Sequence, residues 1–189
     1  MKKYLLIFGA MALLICTSPT TFAQQLPTNV EAPKPVSGPS QAVLEAWNDI
    51  GDKLITMAED FPESKYDFKA TPPERTFAEV LLHVACTSYV FTDTAQGKEA
   101  RPHDLARDKY KTKADIVAVL KQAVADGAKV IQEKGDAGIN KTERLSFGNQ
   151  MVRVSDLAYS MSMHASEHYG QLVVYYRLNG IVPPESRQK

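Results

Sequence analysis

The sequence has few cysteines, histidines and tryptophans, and it carries no excess of charge of either sign. It contains two cysteines, four histidines and one tryptophan, and 22 basic residues balance 22 acidic ones. Proteins that bind nucleic acid or anionic membranes by electrostatics carry a strong basic excess. The balanced charge therefore predicts neither nucleic acid nor a membrane surface as a partner, and the length suits a single globular domain.

Long apolar runs are equally scarce, and the one near the amino terminus is too short to span a bilayer. It extends from Tyr4 to Cys16, follows Lys2 and Lys3, and is followed by small residues ending at Ala23. This order is typical of a signal peptide rather than a transmembrane helix, although a retained anchor is the alternative. We predict that residues 1–23 are cleaved, that the protein is periplasmic or secreted, and that no membrane span remains.

The small number of cysteines limits what holds an exported protein together. Exported proteins often contain disulfides, but the predicted cleavage removes Cys16 and leaves Cys86. The mature chain is then predicted to have no intramolecular disulfide, so its stability must come from packing and from any bound metal.

A proline-rich segment separates the signal peptide from the folded part of the chain. Residues 24–39 contain four prolines and few large apolar side chains, which predicts an extended linker. The folded domain is expected to begin near Ser40 and to extend over residues 40–186.

Four segments of this domain show the apolar spacing of amphipathic helices. They cover approximately residues 40–61, 75–95, 113–134 and 152–178. Ser40 is the predicted N-cap of the first segment, and the sets Thr76–Glu79 and Thr112–Asp115 fit the capping-box pattern of the second and third. Residues 139–147 can hold a short extended piece. The sequence therefore predicts an all-α domain folded as a four-helix bundle.

The fourth segment contains the most informative pattern. Its apolar stripe proceeds in steps of four and three through Leu157, Met161, His164, His168, Gln171, Tyr175 and Leu178. Residues four apart lie one turn above each other, so His164 and His168 share a face and can bind one metal ion. Two core histidines with separate hydrogen-bond partners are the alternative. Because Ala165 follows His164, the motif lacks the glutamate base of the HExxH metalloproteases.

Two other histidines are candidates for a third ligand. His83 lies in the second segment, at the edge of its apolar face, and can turn toward the interior of the bundle. His103 lies in the Arg101–Asp104 loop and is expected to be a surface residue.

The residues around these histidines resemble the DinB-like (DinB/YfiT-like) superfamily of metalloenzymes. The resemblance is carried by two stretches, RTFAEVLLHVA (75–85) and HASEHYGQLVVYYRLNGIVPPES (164–186). It implies an up-and-down-type four-helix bundle with a divalent metal ion, zinc or nickel, bound by His83, His164 and His168. Most members of the superfamily have no export signal. The resemblance therefore does not identify the substrate of this protein or any small thiol that it uses.

Of five further residues, Glu79, Glu167 and Cys86 have two interpretations each. Glu79 is either an acceptor for the His83 ring or, as we favour, the capping-box residue of the second helix. Glu167 is either a general base or a surface charge. Gln171 is expected to form hydrogen bonds, because a buried unpaired amide is costly, and Tyr175 is expected in the core. Cys86 is either a reactive thiol or, as we favour, a small buried apolar side chain.

The sequence therefore predicts a metal-dependent enzyme that acts on an unknown small-molecule substrate. Three histidines leave a coordination position open for chemistry, either hydrolysis or thiol transfer. The alternative is a non-catalytic bundle that binds a metal or small ligand. No catalytic residue is assigned beyond the metal ligands, and a homodimer is a candidate for the oligomeric state.

Overall fold

The computed structural model describes residues 37–101 and 105–188. The predicted signal peptide, all but the last residues of the predicted linker, and His103 lie outside these ranges. In chain order, the α-helices and strands of these ranges are α1 (Pro39–Asp60), α2 (Phe77–Ala95), α3 (Lys113–Ile139), β1 (Thr142–Arg144), β2 (Met151–Arg153) and α4 (Val154–Leu178). The predicted helical domain with four long helices is confirmed. None of the helices in these ranges is both long and apolar enough to cross a membrane.

Both predicted capping boxes are present. At the start of α2, the Thr76 hydroxyl accepts the Glu79 N–H at 3.1 Å, and the Glu79 carboxylate accepts the Thr76 N–H at 2.6 Å. Thr112 and Asp115 form the same reciprocal pair at the start of α3. These bonds satisfy backbone donors that have no partner inside the helix, and this explains why both helices begin where the sequence predicts.

The start of α1 differs from the prediction. The N-cap is Gly38 rather than Ser40, and Pro39 is the first helical residue. The Ser40 N–H and hydroxyl both donate to the carboxylate of Asp136, the former at 3.0 Å. Asp136 lies 96 residues further along the chain, in the last turns of α3, so a tertiary contact has replaced the local cap.

A small hairpin precedes α4. β1 pairs with β2 in antiparallel register, with Glu143 opposite Val152. The short extended piece predicted within residues 139–147 is therefore confirmed, whereas its partner strand occupies residues that the apolar pattern assigned to the fourth helix. That helix begins at Val154 instead of Val152.

The order of the helices corrects the predicted up-and-down topology. α3 begins beside the end of α1, where the Lys113 ammonium donates to the Phe61 carbonyl at 2.9 Å, and α2 also begins there, with Phe77 stacked on Phe61 at 3.9 Å. α2 and α3 therefore run parallel, and the four helices run up, down, down and up. The physical reason is the connection of residues 96–112. It is long enough to return along the roughly 28 Å of α2, since an extended chain covers about 3.3 Å per residue.

This arrangement places α1 diagonally across the bundle from α2, and α3 diagonally across from α4. α1 and α2 each pack against both α3 and α4, whereas α3 and α4 scarcely touch. Trp47 fills the space between α1 and α3, where Gly127 gives it room: a Cβ at Gly127 would lie 2.0 Å from the Trp47 ring. The packing of α2 against α4 is the contact that places His83 opposite the histidines of α4.

Candidate metal centre

Three imidazole rings meet where α2 faces α4. The Nε2 atom of His164 lies 3.1 Å from the Nε2 atoms of both His83 and His168. One ring nitrogen from each of the three histidines lies within 4.8 Å of the others, and all three side chains are half-buried. The three residues named from the sequence are therefore brought together, and the third comes from a different helix, 81 residues before His164.

The orientation of the His168 ring is fixed by two further residues. The Gln171 side chain donates from Nε2 to the Glu74 carboxylate at 3.0 Å, and its Oε1 lies 2.9 Å from His168 Nδ1. A carboxylate can only accept, so the amide nitrogen must face Glu74 and the amide oxygen must face His168. His168 Nδ1 then carries the proton, and in the neutral ring the Nε2 lone pair points toward the cluster.

The His164 ring has an analogous but longer contact. The Thr87 hydroxyl donates to the Val84 carbonyl at 3.0 Å, and its oxygen lies 3.4 Å from His164 Nδ1. Since the hydroxyl proton is already used, this oxygen is an acceptor for the His164 N–H. The His164 lone pair therefore also lies on Nε2.

Burial and nearby charge favour neutral rings in the cluster. Burial first, and then the positive charge of Arg75 and the other two histidines, lower the pKa of His83 to about 4. Burial and His168 likewise lower the pKa of His164, against the opposing field of Glu167. A neutral imidazole keeps the lone pair that a metal ion needs, so both rings are ready to coordinate at neutral pH.

The geometry of the cluster fits a divalent ion. Two unprotonated Nε2 atoms 3.1 Å apart repel each other unless a cation lies between them. Histidine ligands bind zinc at about 2.0–2.1 Å, which in a tetrahedral site places neighbouring nitrogens about 3.4 Å apart. The two separations from His164 Nε2 are within a few tenths of an ångström of that value, so His83, His164 and His168 could hold such an ion.

A cleft of about 500 Å³ opens beside the cluster at His83. Its lining residues come from α2 and from both connections that flank it, namely Lys69, Pro73, Glu74, Arg75, Glu79, Leu82, His83, Cys86, Leu105, Ala106 and Arg107. A small molecule can therefore reach the cluster from solvent between the residue 69–75 and residue 105–107 segments.

The other residues singled out from the sequence take the following places. Glu79 is in its capping box, which lowers the pKa of its carboxyl, first through the Thr76 N–H. Glu167 is exposed beside the cluster. Cys86 is half-buried and lines the cleft, and burial raises the pKa of its thiol. Tyr175 is buried, with its hydroxyl donating to the Arg75 carbonyl. Gln171 makes the hydrogen bonds expected of it.

Glu74 and Thr87 contact the residues of the candidate site, but the sequence did not indicate them. Glu74 lies in an irregular segment after two prolines, and no periodicity marks it. Thr87 is four residues after His83 on the same helix stripe, so a search for acceptors one turn from each histidine would have found it.

Comparisons with solved structures agree with this fold. A DinB-like protein from Bacillus cereus ATCC 10987 superposes with a TM-score of 0.63 at 15% identity, covering 75% of this chain and 93% of that one. YfiT from Bacillus subtilis superposes with a TM-score of 0.60 at 14% identity, and the match covers 82% of this chain and 97% of YfiT. YfiT is described as a probable metal-dependent hydrolase with an unusual four-helix bundle topology. A second Bacillus subtilis protein, the DinB-like YjoA, superposes with a TM-score of 0.61 at 16% identity, and the match covers 78% of this chain and 99% of YjoA.

The sequence itself provides the assignment to a family. A search of the curated proteins gives no match. The profile of the DinB superfamily, however, matches residues 46–172, which include all three histidines of the cluster and most of the four-helix bundle. The chain belongs to the DinB superfamily.

Proposed function

We propose that the protein is a divalent-metal-dependent enzyme whose metal ligands are His83, His164 and His168. The observation that carries the proposal is the convergence of the His164 and His168 Nε2 lone pairs at 3.1 Å, with both protons held on the far side of the rings by Thr87 and Gln171. An arrangement of this kind is costly without a cation at its centre. The description of the structurally similar YfiT as a probable metal-dependent hydrolase supports the same class of activity.

Hydrolysis is the reaction class we favour, and thiol transfer to an electrophile is the second. A divalent ion held by His83, His164 and His168 would polarise a carbonyl and lower the pKa of a water molecule. Zinc and nickel both suit an all-imidazole donor set. A bundle that binds a metal or small ligand without turnover remains the alternative.

The residues around the cluster have separate roles in this proposal. Gln171, held by Glu74, and Thr87 keep two of the rings in one tautomer and one orientation, which lowers the cost of assembling the site. Leu82 and Leu105 make part of the cleft wall apolar, so a substrate reaching His83 is partly removed from water.

Elemental analysis of variants tests the ligand set. Each of His83→Ala, His164→Ala and His168→Ala should lose stoichiometric metal, because each removes one of three protein ligands. His103→Ala should keep it. His83→Ala is the sharper test, since His83 alone comes from α2; retention of full metal there, with loss in His103→Ala, would show that the third ligand is wrong.

Turnover separates an enzyme from a binding protein. The metal-loaded protein should hydrolyse members of a panel of esters and amides, or transfer a small thiol to an electrophile, and His168→Ala should not. A protein that binds metal stoichiometrically but turns over nothing in the panel would favour the non-catalytic alternative.

Export is a separate part of the proposal. It is supported by the charged start, the apolar run and the small residues that end at Ala23. Amino-terminal sequencing of the protein from its native host should find a chain that begins at Gln24. A cytosolic chain that still begins at Met1 would contradict export.

A further inference from the structure

The cleft beside the histidine cluster contains three cations. Lys69, Arg75 and Arg107 line it together with His83. Their surroundings differ, and the difference decides which of them can take part in binding.

Arg107 is already committed to the protein. Its guanidinium donates from Nε and Nη2 to the two carboxylate oxygens of Asp67, at 2.8 and 3.2 Å, and from Nη1 to the Tyr110 carbonyl. A ligand that recruited Arg107 would have to break this bidentate pair, so Arg107 has a structural role.

Arg75 and Lys69 are different. Among the described residues, neither side chain makes a hydrogen bond or an ion pair, and both are exposed at the cleft. An antiparallel bridge between Lys69 and Thr76 places the two cations on adjoining strands of chain. Two unpaired cations therefore flank the same opening.

The backbone that carries Arg75 is held against α4. The Tyr175 hydroxyl donates to the Arg75 carbonyl, and the Gln171 amide donates to the neighbouring Glu74 carboxylate at 3.0 Å. Gln171 is also the residue that holds His168. The position of Arg75 is thus fixed relative to the histidine cluster by the same helix that supplies two of its rings.

The carboxylates of the cleft have partners of their own. Glu74 accepts from Gln171, and Glu79 accepts the Thr76 N–H within the capping box. Lys69 and Arg75 also attract Glu79 through space, but its Oε2 is bound by Thr76. The cleft therefore offers unused hydrogen-bond donors on Lys69 and Arg75, while Glu74 and Glu79 are already hydrogen-bonded.

We propose that Arg75, assisted by Lys69, binds an anionic group of the substrate, a carboxylate or a phosphate, beside the His83 side of the cluster. The guanidinium presents a planar fork of donors that matches either group. That this anion belongs to a substrate rests on the proposed enzymatic function; that the cleft binds an anion does not.

Binding of inorganic phosphate to the full-length protein, with the metal that it carries, tests the proposal by isothermal titration calorimetry at constant ionic strength. The wild type should bind phosphate saturably, and Arg75→Gln should weaken binding at least fivefold. Arg107→Gln is the matched control, with the same charge change in the same cleft, and should change binding less than twofold. No saturable binding by the wild type, unchanged binding by Arg75→Gln, or equal weakening by both variants would overturn the anion site.

The metal-deficient His168→Ala variant separates this proposal from the proposed function. Weakening by Arg75→Gln should persist when it is added to His168→Ala, because the guanidinium rather than the metal contacts the anion. If the effect of Arg75→Gln vanished in that background, the metal alone would hold the phosphate and the anion site would be wrong. Metal content measured on the same samples tests the metal site independently.

Discussion

At the scale of single residues, the orientation of the candidate ligands depends on side chains that contact no metal. Glu74 accepts from Gln171, and Gln171 accepts from His168. Each bond settles the direction of the next, because a carboxylate has no proton to give and an amide has distinct donor and acceptor ends. The tautomer of His168 is thus determined by Glu74, which acts through Gln171 and does not itself contact the cluster.

Removing this chain of bonds should weaken metal binding without unfolding the protein. Gln171→Leu keeps the size of the side chain but loses the acceptor for His168 Nδ1, so His168 can rotate or change tautomer. Loss of such a supporting hydrogen bond typically costs 10–100-fold in metal affinity. Competition with a chromophoric zinc chelator measures the change.

Gln122→Leu is the control for this substitution. Gln122 lies on the exposed face of α3 and bonds only Asp126 in its own helix, at 2.8 Å. The metal affinity of the Gln122→Leu variant should equal that of the wild type. If Gln171→Leu also bound metal as the wild type does, the hydrogen bond to His168 would have no role in holding the ion.

The lowered pKa of His83 predicts how pH acts on the metal-free protein. In the unfolded chain His83 titrates near 6.5, and in the folded chain near 4. Between these values the unfolded state binds more protons, so the free energy of unfolding falls as pH falls from about 6.5 to about 4. Urea denaturation with chelator present should show that the wild type loses more stability over this window than His83→Gln. An equal loss in both proteins would contradict the depressed pKa.

At the scale of elements, α3 shows how one glycine interrupts a helix. Gly135 has φ 54° and ψ −171°, a conformation that is nearly restricted to glycine, and the helical path is interrupted there. A Cβ at Gly135 would meet no atom within 4 Å, so any cost of a side chain there is a backbone cost.

Gly135→Ala should therefore destabilise the fold by about 1–3 kcal/mol, the usual cost of forcing a side chain into a glycine conformation. Gly170→Ala is a matched control, because a Cβ at Gly170 also meets no atom within 4 Å but the residue lies inside α4. Alanine there should stabilise the protein by about 0.5–1 kcal/mol. Chemical denaturation measures both changes, and destabilisation by the two substitutions alike would contradict the backbone explanation.

Sequence reasoning succeeded for elements whose signals are local. The caps of α2 and α3 lie within four residues of the helices that they start, and apolar spacing located all four helices. Sequence reasoning failed where the local structure depends on a residue that is distant in the sequence. Ser40 resembles an N-cap in sequence, but its N–H and hydroxyl donate to the Asp136 carboxylate instead of capping α1. β2 is three residues long, too short to show an alternating pattern, and it needs β1 as its partner.

The same distinction applies to the candidate site. His164 and His168 were found together because they lie one turn apart on one helix. Their meeting with His83 depends on α2 packing against α4, which the sequence suggested only through resemblance. Glu74 could not be found, since it reaches Gln171 across 97 residues from a segment without periodicity. The direction of α3 could not be predicted either, because the spacing of apolar residues within a helix carries no information about the path of the connection before it.

At the scale of the whole molecule, a metal ion would act as a crosslink. It would join α2 to α4 through residues 81 positions apart, at the contact between two helices that are otherwise held by apolar packing. The described apolar core does not include the three histidines, so the bundle should fold without the ion and gain stability from it.

Chelation should lower the melting temperature without abolishing folding. A ligand that binds only the folded state adds RT ln(1 + [L]/Kd), about 2.7 kcal/mol at a hundredfold excess over Kd. For a domain of about 150 residues, 1 kcal/mol corresponds to about 2–4 °C, so the expected decrease is about 5–10 °C. Thermal unfolding followed by circular dichroism, with and without chelator, measures it. The His168→Ala variant, which should bind no metal, should melt at the same temperature in both conditions. A wild-type protein of confirmed full metal content that showed no decrease would bind its metal elsewhere, because an ion bound only by the folded cluster must stabilise the folded state.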